Sequence, residues 1–185
     1  MFDLEAILHD KSIKVVATRQ AKQEASDVQR DIYDSHRHRV FALAFYMTGN
    51  ELEAEQILTT TFIEAFRGAA EPQATQVDAA LVGELRQRFP LGTIESPLDL
   101  KSIAGQAANL AERNVRRTDL EEAIQELPPT ERFVFLLRDV EGYAPAAIAQ
   151  LLDLPEAKVQ RALFSARIRL RQVLAASQAD QPQAA

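Results

Sequence analysis

The sequence predicts an all-α protein of two helical domains, a helical bundle followed by a helix-turn-helix domain. Apolar residues recur at three- and four-residue spacing through most of the chain. Alternating Val/Ile/Thr runs bounded by Asn-Gly or Asp-Gly turns are absent, and the one short β-like run, residues 13–18, is isolated. A chain of 185 residues that is 46% hydrophobic has material for one or two real cores.

Composition narrows the function classes. There is no cysteine, so disulfides and thiolate metal sites are excluded and a reducing cytoplasm is expected. His9, His36 and His38 are too few and too badly spaced for a zinc motif, so no metal is expected. No apolar run approaches the roughly 20 residues of a membrane span. The start, MFDLEAILHDKS, lacks the basic-then-apolar order of a secretory signal. No Gly-rich phosphate loop and no catalytic constellation is present, so neither an enzyme, a cofactor nor a small-molecule substrate is expected.

Residues 1–26 read as an N-terminal extension, a small helix over 3–9 plus a linker. A long helix over 27–47 follows, with Val40, Leu43, Ala44 and Met47 on one face. Thr48-Gly49-Asn50 ends it, and Asn50 with Glu53 forms a capping box for a helix over 51–68. A loop over 69–75 leads to a helix over 76–89, stopped by Pro90 and Gly92. After a loop at 91–98, an Ala-rich helix over 98–117 ends in Arg113, Arg116 and Arg117, which suit a helix C-terminus. The first domain is thus 27–117, with an enlarged insertion at 70–95.

The second domain, 118–175, holds helices over 119–126, 129–141, 145–152 and 155–177, with a disordered tail at 176–185. Pro145 and Pro155 each open a helix. Asp153-Leu154 is the turn between them, and the small Ala149 lets them cross closely. Val159, Leu163, Ala166 and Leu170 form the buried stripe of the last helix. Its outer face carries Lys158, Gln160, Arg161, Ser165, Arg167, Arg169 and Arg171. From 156 to 171 five basic residues and one acid give a net of +4, although the whole chain is at −6. Segment 119–141, just before, holds seven acids and two arginines. Positive charge gathered on one helix is what a major-groove reader needs. Residues near its N-terminus reach base edges and the later arginines meet phosphates. A helical hairpin with a merely solvated basic face is the competing reading.

Segment 120–174 closely resembles region 4 of extracytoplasmic-function sigma factors. The resemblance rests on Leu127-Pro128, Arg132, Glu141-Gly142, Ile148-Ala149, Leu152, Val159, Ala166-Arg167 and Leu170. Segment 32–67, with its TGN turn and TF…A.R ending, looks like region 2 of the same family, and QAANLAERNVRR (106–117) resembles its IARNLARDHLRR helix. The resemblance implies an alternative sigma factor with core RNA polymerase and promoter DNA as partners and an anti-sigma factor as a regulator. It implies −10 contacts at Asn109, Arg113, Asn114, Arg116 and Arg117 and −35 contacts at Lys158, Gln160, Arg161, Ser165, Arg167 and Arg169. Polymerase contacts fall on Glu53, Gln56, Ile57, Thr59, Thr60 and Phe62.

The region 2 resemblance has departures. Where the family's polymerase-contacting helix commonly reads DAEDLVQETF, this chain has EAEQILTTTF; Gln56, Thr59 and Thr60 replace an acid, a glutamine and an acid. Ser102 stands where a tryptophan is usual, and no aromatic residue lies between Pro90 and Arg117. Stacking that holds a melted strand is worth about 1–3 kcal/mol per base. The link from Arg117 to Leu120 is also short. These departures point to the alternative of a sigma-like regulator that binds an anti-sigma factor or other protein without initiating transcription.

Overall fold

The computed structural model describes residues 4–68, 73–92 and 115–179. Within them the chain is helical, with no strand, which is the expected all-α class. The elements are α1 (Leu4–Thr48), α2 (Glu51–Phe66), α3 (Ala74–Arg88), α4 (Arg117–Gln125), α5 (Pro129–Phe135), a π-helical turn (Leu136–Val140), α6 (Pro145–Leu152) and α7 (Glu156–Ala179).

Two expectations for the N-terminus are corrected. Instead of a short helix and a linker, one helix runs through to Thr48, and the β-like segment 13–18 lies inside it. The reason is in the sequence: neither proline nor glycine occurs before Gly49, so nothing interrupts the helical backbone. Thr48 and Gly49 then stop α1. The Thr48 hydroxyl bonds the Ala44 carbonyl at 2.9 Å, and Gly49 takes the left-handed conformation, φ 69°.

Asn50 caps α2 as expected, its side chain accepting from the N–H groups of Leu52 at 2.9 Å and Glu53 at 3.2 Å. The reciprocal half of the box differs: the Asn50 N–H donates to the Thr48 hydroxyl at 3.2 Å. A further correction concerns the end of the Ala-rich helix. Arg116 is extended and α4 begins at Arg117, so the expected helix does not reach 117. The rest of that helix, 98–114, lies outside the described residues, as do the tail residues 180–185. The preceding residues 176–179 belong to α7.

In the first half, Val40, Leu43, Ala44 and Met47 of α1 pack with Ala54, Ile57, Phe62 and Ala65 of α2 and Val77, Leu81 and Leu85 of α3. In the second, Phe133, Val134 and Leu137 meet Ile148 and Leu152 of α6 and Val159, Ala162, Ala166 and Leu170 of α7. Ala162 and Ala166 are fully buried, so small side chains let the helices approach closely. Truncating Phe133 to alanine removes a fully buried ring. A loss of about 3–5 kcal/mol is expected in chemical denaturation.

The two cores form one cluster, joined where α1 meets α4 and α5. Past Phe45, whose carbonyl accepts from the Gly49 N–H at 2.7 Å, the C-terminal carbonyls of α1 have no helical partner of their own. The Gln125 side-chain amide donates to Tyr46 O at 2.8 Å and Phe45 O at 3.3 Å, and Arg132 Nη1 donates to Met47 O at 2.7 Å. Arg132 Nη2 also donates to Leu127 O at 3.0 Å and to Gln125 O. One guanidinium thus caps the ends of α1 and α4 together. Burial lowers its pKa from the usual arginine range. A Cβ at Gly49 would meet Gln125 Oε1 at 3.0 Å. Gly49→Ala therefore combines left-handed strain with loss of this cap, and about 1–2 kcal/mol of destabilisation is expected in urea unfolding.

A second tie lies farther up α1. Arg39 pairs with Asp78 of α3, reaches Glu141 at 3.1 Å and donates to the Tyr143 hydroxyl at 3.4 Å. The Tyr143 hydroxyl donates to Asp78 Oδ2 at 2.7 Å. Burial pulls the Arg39 pKa down, but hydrogen bonds to Asp78 and Glu141 outweigh it and the pKa is raised. The Tyr143 phenol is raised by burial first and by its bond to Asp78 second. The neutral phenol is thus favoured in the folded state. Its contribution is full below the unfolded value of about 10 and is lost as pH rises through the folded value. Ultraviolet titration of the protein against its Tyr143→Phe variant should show the missing phenol ionising above pH 10; ionisation at the ordinary value would refute the tie.

Candidate DNA interface

Helices α6 and α7 form a helix-turn-helix. Pro145 and Ala144 set the entry of α6 with extended backbone before the first turn. Asp153 ends α6 in the left-handed conformation, φ 53°, a conformation that aspartate tolerates better than most residues. The chain turns back with Leu154 N–H donating to Ala149 O at 2.9 Å. Lys158 N–H donates to Pro155 O at 2.8 Å as α7 starts. Ile148 and Leu152 are fully buried beneath the turn.

The outer face of α7 is a stripe at helical spacing: Gln160, Arg161, Phe164, Arg167 and Arg171 are exposed. Lys158 is half-buried, about 60° around the helix from Arg161. Gln160 donates to Glu156 Oε1 at 3.1 Å, and Arg161 Nε to its own helix at Ala157 O, 3.3 Å. Phe164, 56% exposed, is a large apolar group on this stripe that sequence reasoning missed. It sits three residues after Arg161, a spacing that could have revealed it.

Ser165 and Arg169 do not lie on the outer face, contrary to the sequence reading. The Ser165 hydroxyl donates to Glu131 Oε1 at 2.9 Å, and Arg169 Nε is 3.0 Å from Glu131 Oε2. That second contact is an ion pair without the alignment of a hydrogen bond. Glu131 is 1% exposed, so the buried carboxylate draws both groups against α5. Arg167 makes a two-pronged pair with Asp139, Nε to Oδ2 at 2.9 Å and Nη2 to Oδ1 at 2.6 Å. The hydrogen bond to Asp139 outweighs partial burial and raises the Arg167 pKa. Of the five basic residues on α7, Lys158, Arg161 and Arg171 remain outside any salt bridge among the described residues.

The other expected contacts fall into two groups. Arg116 holds Asp119 through Nε at 3.1 Å and Nη2 at 2.9 Å, and Arg117 holds Glu121 at 2.7 Å. Both arginines are exposed, and such pairs contribute little and exchange readily. Asn109, Arg113 and Asn114 lie outside the described residues. On α2, Glu53, Gln56 and Thr59 are exposed and Thr60 is half-buried. Ile57 and Phe62 are buried, and the Phe62 ring meets Tyr33 edge-on at 4.8 Å. They support the helix from below and cannot present their side chains to a partner. The exposed apolar residues of α2 are instead Leu52 and Ile63, which share a stripe with Gln56 and Thr59. Both were missed because apolar residues on a helix are first assigned to its core.

Among the described residues no group of His, Asp or Glu is arranged to hold a metal ion, and no helix is long and apolar enough to cross a membrane.

Residues 117–170 match the sequence family described as Sigma-70, region 4. The chain is also 25% identical over 166 residues to the ECF RNA polymerase sigma factor SigE of Mycolicibacterium smegmatis. That similarity covers 84% of this chain and 65% of the length of the relative.

Proposed function

We infer that this chain, which belongs with the extracytoplasmic-function sigma factors, joins core RNA polymerase and directs it to promoters. The observation that carries the reading is the stripe of Gln160, Arg161, Phe164 and Arg171 on the second helix of a helix-turn-helix. That stripe has the length, charge and exposure for a major groove, where its first two turns face base edges and its later cations face phosphates. In this reading Lys158, Gln160 and Arg161 read the −35 element. Arg116 and Arg117, with Asn109, Arg113 and Asn114, act at the −10 element. The stripe of Leu52, Gln56, Thr59 and Ile63 on α2 meets polymerase through apolar contact and amide or hydroxyl hydrogen bonds. Glu53 supplies the negative charge beside it. The site of action is then the cytoplasm.

A specific observation also supports a second reading, a sigma-like regulator that captures an anti-sigma factor or other protein. The ties from Arg39 to Asp78 and Glu141, and from Gln125 and Arg132 to the end of α1, hold the two halves together.

One experiment separates the readings. Core polymerase is pulled down with the full chain and the complex is assayed for transcription in vitro from a library of promoter fragments. Retention on core with transcripts that depend on the chain supports the first reading. No retention on core, with duplex binding retained, excludes it in favour of the second.

A further inference from the structure

Two acids of one element grip the reading helix from opposite sides. Glu131, in the first turn of α5, holds Ser165 and Arg169. Asp139, in the π-helical turn that continues α5, holds Arg167. At about 100° per residue, Ser165 and Arg169 lie within about 40° of each other around α7, whereas Arg167 lies about 200° from either. The α5 element therefore crosses α7 and touches both flanks, with Ala162 and Ala166 buried between. Such a grip opposes rotation of α7 about its own axis.

The two contacts differ in exposure. The Glu131 side is buried, with its carboxylate 1% exposed. On the Asp139 side the Arg167 side chain is 45% exposed, at the edge of the stripe that carries Arg161 and Phe164. A guanidinium has five N–H donors in a rigid fork, and Asp139 engages Nε and Nη2. The Nη1 edge is left for another acceptor. Asp139 lies within the π-helical turn, where Glu141 N–H donates to Leu136 O at 3.0 Å, five residues back, so the turn is wider than an α-turn.

We propose that Asp139 is a positioning residue for DNA binding, which fixes Arg167 so that its outer N–H edge meets a backbone phosphate beside the reading stripe. The inference rests on the DNA-binding reading above and deepens it. Arg167 alone would lose the rotamer freedom of a long side chain on binding; Asp139 orders it beforehand, so less is lost for each hydrogen bond formed.

The sign of the effect makes the test sharp. Asp139→Asn removes a negative charge near DNA, which by simple electrostatics tightens binding. Positioning requires the opposite. The measurement is affinity of the full chain for duplex DNA of random sequence across a salt series. Thermal unfolding is run in parallel on the parent, Asp139→Asn, Asp139→Glu, Arg167→Gln and Asp139→Asn/Arg167→Gln chains. Asp139→Asn is expected to weaken binding several-fold and to flatten the slope of log affinity on log salt by about 0.9, one phosphate. Asp139→Glu recovers most of the loss. In the Arg167→Gln background Asp139→Asn adds no further loss. Tighter or unchanged binding by Asp139→Asn overturns the proposal, as does an equal loss with and without Arg167. Binding by the parent that is weakened by removing Lys158 and Arg161 but not by Asp139→Asn sinks this inference alone. A parent that binds no duplex sinks the DNA-binding reading together with it.

Discussion

Replacing Glu131 by alanine is expected to lower the stability of the chain by about 2–3 kcal/mol, or roughly 5–10 °C in thermal midpoint for a protein of this size. Glu131 is 1% exposed and serves two partners on α7, the Ser165 hydroxyl at 2.9 Å and the Arg169 guanidinium at 3.0 Å. Breaking a buried pair by deleting one member typically costs 3–5 kcal/mol, because the other charge is left buried. The Arg169 side chain is 28% exposed and can swing toward water, which places the expectation below that range. Glu131→Gln keeps an acceptor for Ser165 and loses only the charge, so it should recover part of the difference. Differential scanning calorimetry of both variants is the check. A midpoint for Glu131→Ala within a degree of the parent would show that the carboxylate contributes nothing.

Removing Lys158 and Arg161 together is expected to weaken duplex binding at least tenfold, about 1.4 kcal/mol, and to reduce the salt slope by about 2. Arg161 is exposed, Lys158 is half-buried, and neither has a salt-bridge partner among the described residues. Their loss therefore leaves no buried group stranded, and the thermal midpoint should barely move. Fluorescence anisotropy with labelled duplexes at several salt concentrations measures both quantities. Unchanged affinity for every duplex tried would mean that α7 is not the DNA-reading element.

Much of the candidate site is legible in the sequence because it depends on local rules. The buried stripe Val159, Leu163, Ala166 and Leu170 has helical spacing, the prolines mark helix starts, and the basic residues cluster within sixteen positions. Which flank of α7 each cation occupies is not a local matter. Ser165 and Arg169 turn inward because a carboxylate on α5 waits there, and no periodicity shows that Glu131 is buried. The same holds on α2. Likeness to a motif puts Ile57 and Phe62 on a partner-facing surface, yet packing against α1 and α3 takes them into the core and leaves Leu52 and Ile63 outside.

The all-helical class, the stop at Gly49 and the helix-turn-helix follow from the chain alone. They rest on backbone propensity and on interactions between residues three or four apart. The unbroken α1 departs from the expected short helix and linker, although no proline or glycine precedes Gly49 to interrupt it. Only the tertiary structure decided that the two halves are tied by Arg39, Gln125 and Arg132, and that Glu131 and Asp139 grip α7. Those ties join residues 28 to 104 positions apart. Charges and hydrogen-bond donors at such separations carry no sequence period, so their pairing is set by which helix faces pack together.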